Sequence, residues 1–235
     1  MPLLDDAIEA SGGLERWNTL QRFTLHLSIK GTLFSRTGRA RQFKDLVAEG
    51  STRTQSVCFT GLTRGERSGN YQPDLVTIQN LDGQVLRTWL NPSLDFLDHG
   101  DDPLADDLHL IFFCGFSIWN YLTTPFLLAH PDVTVEELSP WQENEQIWRR
   151  LRAVFPPHIV TSSPEQILYF DENGLQRRTD HDFLGARVAH YSSAHQAFSG
   201  IVVPTLRRSL ALQPDGNVIA KPVLIDVEVF DATFK

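Results

Sequence analysis

Side chains able to move a proton are densest between Thr179 and His195: Asp180, His181 and Asp182 in one run, His190 and Tyr191 in the next, and His195 beyond them. Along an extended strand successive side chains alternate in direction. Asp180 and Asp182 therefore share a side that His181 does not, and His190 opposes Tyr191 and His195. If the two runs pair as a hairpin, a carboxylate can meet an imidazole across the sheet. The carboxylate would fix the tautomer of the ring and raise its pKa, which makes Asp180, His190 and His195 candidate acid–base residues. The competing reading is a set of solvated side chains on the outer side of a sheet. No H-x-H or H-E-x-x-H spacing supports a metal site, and no metal or other cofactor is expected.

His109 is the other candidate acid or base. It lies in the most apolar stretch of the chain, Asp107 to Leu128, together with Phe112, Phe113, Phe116, Trp119, Asn120, Tyr121 and Phe126. In an apolar cavity a polar side chain of this kind orients a ligand, and an imidazole can also move a proton. The expected cavity wall is Phe112, Phe116, Trp119, Tyr121 and Phe126, with His109 and Asn120 as polar contacts. The plainer reading is a core in which the aromatics pack together and His109 is simply hydrogen-bonded. Arginines make the third group. Arg149, Arg150, Arg152, Arg177, Arg178, Arg207 and Arg208 are interspersed with Glu136, Glu137, Glu143 and Glu145. A salt-bridged outer face is expected from them, with a rim for a carboxylate or phosphate as the alternative. The chain has no nucleophile elbow, phosphate loop, dinucleotide fingerprint or paired-cysteine zinc pattern.

The elements that must position these groups follow from periodicity. Leu108, Ile111, Phe112, Cys114 or Gly115, Ile118, Trp119 and Leu122 have i, i+3, i+4, i+7 spacing, and Leu110, Phe113, Phe116 and Tyr121 fill the other side. A helix apolar nearly all round is covered on both sides or lies in a membrane. His109, Asn120, Thr123, Thr124, Pro125 and the acidic flank argue against the membrane. Asp106 and Asp107 suit its N-terminus, and Pro125 stops it near Leu122 or Thr123. Leu3 to Leu20 reads as one amphipathic helix, or two short ones broken at Ser11-Gly12-Gly13. The rest alternates as strands: Arg22–Phe34, Arg41–Glu49, Thr54–Thr60, Tyr71–Asn80, Gln84–Leu90, Thr134–Leu138, Gln146–Phe155, Glu165–Phe170, Leu175–Phe183, Ala189–Phe198, Ile201–Leu212 and Val218–Phe234. Arg64–Gly69 reads as a turn and Asn91–Pro103 as a loop. Leu81-Asp82-Gly83 and Asp171–Gly174 are hairpin signals.

No repeat or linker divides the 235 residues, so residues 1–235 are expected to form a single domain. The fold class expected is mainly β (α+β): a strongly curved antiparallel sheet, or incomplete barrel, covered by an N-terminal helix and the central aromatic helix. A sheet so curved cannot fill its concave side with strand residues alone. The net charge of −8 argues against a nucleic-acid partner. Cys58 and Cys114 fit no motif and are expected as reduced, buried thiols. The first residues lack the basic and apolar regions of a secretory leader, and the expected location is cytoplasmic. The sequence assigns no oligomeric state.

Three stretches also carry a resemblance: Gly12-Gly13-Leu14-Glu15-Arg16-Trp17, Tyr169-Phe170-Asp171-Glu172-Asn173-Gly174-Leu175, and Phe198-Ser199-Gly200-Ile201-Val202-Val203-Pro204. With the order of elements, these resemble the bacterial lipoprotein-carrier (LolA-like) fold over most of the chain. The resemblance implies a half-barrel closed by helices over an apolar cavity. The expected function is binding of a hydrophobic small molecule or acyl chain there. The alternative is an enzyme acting on a hydrophobic metabolite by His/Asp acid–base chemistry.

Overall fold

A computed structural model describes residues 2–36, 43–92, 106–183 and 185–235. Two short helices, α1 (Pro2–Ala10) and α2 (Leu14–Thr19), open the chain. There follow β1 (Arg22–Lys30), α3 (Thr32–Arg36), β2 (Leu46–Ser51), β3 (Val57–Gly61), α4 (Leu62–Gly65), β4 (Arg67–Gln72), β5 (Leu75–Asn80) and β6 (Val85–Leu90). The long helix α5 (Asp107–Thr123) is followed by a 3-10 turn, Phe126–Ala129. The second half is β7 (Thr134–Glu143), β8 (Gln146–Val154), β9 (Glu165–Phe170), β10 (Gln176–Phe183), β11 (Ala186–Phe198), β12 (Ile201–Leu212), β13 (Val218–Ile219) and β14 (Ile225–Phe234).

All fourteen strands join one antiparallel sheet in the order β6-β5-β4-β3-β2-β1-β14-β12-β11-β10-β9-β8-β7, with β13 beside β12. The sheet is open, with β6 and β7 at its ends. Short turns give each half its meander, and β14 returns to pair with both β1 and β12, joining the halves.

The helix α5 shows why the sheet curves. Its Phe112 meets Trp89 of β6, while its Phe113 stacks on Phe183 of β10 at 4.8 Å. β6 and β10 are nine steps apart in the strand order. In a flat sheet that is about 43 Å at ~4.8 Å per strand, several times the width of a helix. β6 and β10 both touch α5 because the sheet wraps it. Wrapping buries the helix on every side, at Leu108, from Leu110 through Trp119 and on to Leu122 and Thr123. Asp106 caps α5, its carboxylate accepting from the Leu108 N–H at 2.7 Å. Gly115 lets the helix lie on Tyr71 of β4: a Cβ there would sit 2.2 Å from the tyrosine ring.

The three stretches that carry the resemblance meet around α1 and α2. Gly12, at φ 118°, presses against the Gly200 carbonyl, and Gly174, at φ 77°, against the Asp6 carbonyl. Arg16 donates twice to the Ser199 carbonyl, at 3.0 and 2.8 Å.

Several expected boundaries move. β1 ends at Lys30 rather than Phe34, because Gly31 turns at φ 134° and the chain enters α3. The expected turn Arg64–Gly69 is instead the end of α4 and the start of β4, and Tyr71–Asn80 divides at Pro73-Asp74 into β4 and β5. β7 runs on to Glu143, and the hairpin turns at Asn144-Glu145, both with positive φ. Val218–Phe234 is broken into β13 and β14. Most of Asn91–Pro103, and residues 41 and 42 of the expected second strand, lie outside the described residues. No helix among the described residues is long and apolar enough to cross a membrane. Cys58 is half-buried, Cys114 is buried, and both are free thiols.

Candidate functional site

The concave side of β9–β12 and β14 is built from rows of paired residues. The central row is Leu168, Thr179, His190, Ser209 and Ile225, each opposite the next on the neighbouring strand. His181 with Val188 stands on one side of it, and Ser192 with Arg207 on the other. Directly opposed residues point to the same face, so this side of the sheet carries imidazoles, hydroxyls and a guanidinium. Over them α5 lays Phe113, Phe116, Ser117, Asn120 and Tyr121. The space enclosed is about 40 Å³, enough for a few waters or a small polar group.

The polar groups here are unusual in what they lack. Among the described residues four buried side-chain polar atoms have no hydrogen-bond partner: Tyr71 Oη, Asn120 Oδ1, His181 Nδ1 and His190 Nε2. The last three belong to side chains lining this one cavity. His190 uses its other nitrogen, 2.6 Å from the Ser209 hydroxyl, and its ring stacks on Tyr121 at 4.5 Å. Burial, with Arg207 and His181 nearby, holds the His190 pKa well below the usual imidazole range, and burial alone brings His181 down to about 4. Both rings are therefore neutral at pH 7.

Arg207 is 4% exposed. It donates to Ser192 Oγ at 3.0 Å and to the Tyr121 carbonyl at 2.9 Å, and its guanidinium lies 4.7 Å from the centre of the Tyr121 ring. No carboxylate among the described residues pairs with it. Burial lowers its pKa to about 10, so it stays cationic at neutral pH.

The hairpin expected for Asp180 and His190 forms, but its register keeps the two apart. Thr179 is the residue opposite His190, and Asp180 is opposite Ala189. One residue's difference on a strand means opposite faces. Asp180 lies on the other face, where it accepts from Arg178 Nε at 2.6 Å, Arg178 Nη2 at 3.0 Å and Tyr169 Oη at 2.7 Å. Arg178 also donates to Glu143, which accepts from Tyr191 as well. This cluster is buried and fully paired. His195, half-buried, has its Nε2 3.0 Å from the Gln176 carbonyl and is not part of the cavity wall.

The residues expected as an aromatic wall divide among three concavities. Phe116, Asn120 and Tyr121 line the polar cavity. Phe112 lines an apolar cleft of about 400 Å³ with Phe155, Pro156 and Ile159. Trp119 and Phe126 line a cleft of about 600 Å³ beside α2, where Phe126 stacks on Trp17 at 4.3 Å. His109 sits in the first turn of α5, 4.7 Å from the Trp89 ring, outside the polar cavity.

The cavity's Arg207 was expected on a salt-bridged outer face. Arg149 with Glu137, and Arg152 with Glu136 and Glu165, do make such pairs, and Arg208 faces Asp226 at 3.5 Å. Arg207 points the other way. The signal lay in the alternation of β12: Ile201, Val203, Thr205, Arg207 and Ser209 share one parity, and the first two are apolar core. Ser209 and Thr179 carried no such mark and become visible only through register.

No protein-family model matches the chain, and no curated protein sequence matches it. Solved structures do. One is a putative outer membrane lipoprotein-sorting protein domain from Vibrio parahaemolyticus, with a TM-score of 0.52 at 8% identity, covering 100% of this chain and 91% of that one. Another is a LolA superfamily protein from Nitrosomonas europaea, with a TM-score of 0.49 at 11% identity, covering 94% and 91%. The chain shares its fold with the Vibrio parahaemolyticus domain.

Proposed function

We propose that this protein binds a hydrophobic small molecule or acyl chain between α5 and the concave side of the sheet, with the ligand's polar end in the cavity of His181, His190 and Arg207. The observation that carries this reading is the convergence of three unpartnered buried polar atoms on one cavity roofed by Phe113 and Phe116. Buried donors and acceptors without partners cost about 1–3 kcal/mol each, and a ligand or ordered water that bonds them recovers that cost. The cavity admits a polar end but not a chain, so the tail has to part α5 from the sheet or run out along the helix towards the apolar cleft at Phe112. The fold supports the reading as well, since the Vibrio parahaemolyticus domain that shares it is described as lipoprotein-sorting. Native mass spectrometry of the purified protein, followed by organic extraction, tests it. A co-purified amphiphile, or uptake of fluorescent fatty probes by stripped protein, is expected. A bare chain that takes up no apolar probe would refute it.

The enzymatic alternative narrows to one pair. The 2.6 Å contact between His190 Nδ1 and Ser209 Oγ places an imidazole where it can accept a hydroxyl proton, as a serine nucleophile requires. Hydrolysis of long-chain p-nitrophenyl esters, lost in Ser209→Ala, would favour it. Equal background rates in both proteins would exclude it for esters.

A further inference from the structure

We infer that the ligand's polar end is an anionic oxygen group, a carboxylate, received by the guanidinium of Arg207 inside the cavity. This rests on the binding reading above and names the chemistry of the group bound. A guanidinium removed from water is normally paired with a carboxylate of the same chain, because its charge is costly to bury alone. The chain follows that rule elsewhere: Arg178, 1% exposed, is held by both Asp180 and Glu143. Arg207 is the contrast, also buried, but among the described residues it is bonded by a hydroxyl and a main-chain carbonyl and faces the Tyr121 ring, with no carboxylate. Those two bonds use two of its five N–H groups.

The surroundings select the geometry of the missing group. Arg207 lies on β12 two residues from Ser209, whose hydroxyl bonds His190, and the imidazole of His190 ends in the unpartnered Nε2. With its Nδ1 accepting from Ser209, the neutral ring carries its proton on Nε2, a donor without an acceptor. A planar two-oxygen anion takes the fork of the guanidinium side-on and still offers lone pairs to such donors. A planar carboxylate matches that fork with both oxygens, whereas a tetrahedral phosphate directs its third and fourth oxygens out of the guanidinium plane. The roof of Phe113 and Phe116 then meets the first carbons of the tail, so the acceptable ligand is an amphiphile with an acidic head.

The test is a ligand series on the stripped wild-type protein, with affinities measured by calorimetry: dodecanoate, dodecanol, dodecyl phosphate and dodecyltrimethylammonium, all below their micellar concentrations. Dodecanoate is expected to bind about 10- to 100-fold more tightly than dodecanol, the range that charge-assisted hydrogen bonds supply. In Arg207→Gln that preference should vanish. Equal affinity for dodecanoate and dodecanol would overturn the anion inference and leave the hydrophobic-binding reading standing. Tighter binding of dodecyl phosphate would overturn the carboxylate assignment. Binding by none of the four would refute both readings together. Should Arg207→Gln fail to fold, the wild-type series decides alone.

Discussion

At the scale of single residues, the chain holds two buried arginines that differ only in company. Arg178 sits between two carboxylates and two tyrosines on one face of the sheet, and Arg207, on the other, has Tyr121 and Ser192 but no carboxylate among the described residues. Removing the Asp180 charge leaves the buried Arg178 with Glu143 as its one carboxylate among the described residues, which costs about 1–3 kcal/mol. Asp180→Asn is therefore expected to destabilise the protein by that order in chemical denaturation, while changing ligand affinity little, since Asp180 does not face the cavity. The buried imidazoles give a second expectation. The His181 pKa is about 4 in the folded chain, against an ordinary value near 6.5. The unfolded chain therefore binds protons between pH 6.5 and pH 4 that the folded chain does not, and stability falls as pH falls through that window. From His181 the loss is at most about 3 kcal/mol. His190 acts in the same direction. Melting temperatures from pH 7 to pH 4 should show a shallower decline in His181→Asn than in the wild type. An unchanged slope would mean that the ring is hydrated and titrates freely.

At the scale of elements, α5 organises both halves of the sheet, and its fit depends on two glycines. Gly115 on the helix faces Tyr71, and Gly69 on β4 faces Ile111, where a Cβ would lie 2.5 Å from the isoleucine side chain. Alanine has the better helix propensity by about 1 kcal/mol, but at Gly115 its methyl overlaps a tyrosine ring that is itself fully buried. Overpacking costs about 1–3 kcal/mol or more. Gly115→Ala should therefore lower the denaturation midpoint despite the propensity gain, and shift the near-ultraviolet dichroism of the aromatic cluster. A stabilised Gly115→Ala would show that α5 is free to slide on the sheet.

For the whole molecule, the open sheet implies a gradient of stability. β1, β14, β12 and β11 lie at the middle of the strand order and are paired on both sides, whereas β6 is an edge with Val85, Leu86 and Leu90 exposed. Local opening is easiest where few apolar contacts are lost. Hydrogen exchange is expected to be slowest in β1, β14 and β12 and fastest in β6 among the strands. Ligand binding should add protection to α5 and to β10–β12 without changing β6, and raise the melting temperature with ligand concentration, as binding to the folded state alone requires. Protection that rose evenly across the sheet would argue against a site under α5.

The sequence by itself determined most of the strands, the N-terminal helices and α5, and their order, because those depend on local periodicity and on turn chemistry; α3, α4 and the breaks within Tyr71–Asn80 and Val218–Phe234 it did not. Asp106 and Pro125 bracketed the aromatic helix, and Asp-Gly and Asn-Gly steps marked hairpins. The apolar face-to-face pattern of Asp107–Thr123 called for a sheet curved enough to enclose it. Alternation separated Asp180 from its neighbour His181, but only the register of the hairpin put it on the opposite face from His190. The parity of Arg207 with Ile201 and Val203 was equally present and was outweighed by its neighbour Arg208, which does face outward. Only the tertiary structure decided the site. Register set Thr179, His190 and Ser209 in one row, and curvature brought Tyr121, Asn120 and Phe116 of α5 onto them from dozens of residues away. It also sent Phe112 into one cleft and Trp119 and Phe126 into another, because they stand at different heights along α5 and the 3-10 turn that follows it. What a buried arginine lacks is a property of everything packed around it, and no window of the sequence contains that neighbourhood.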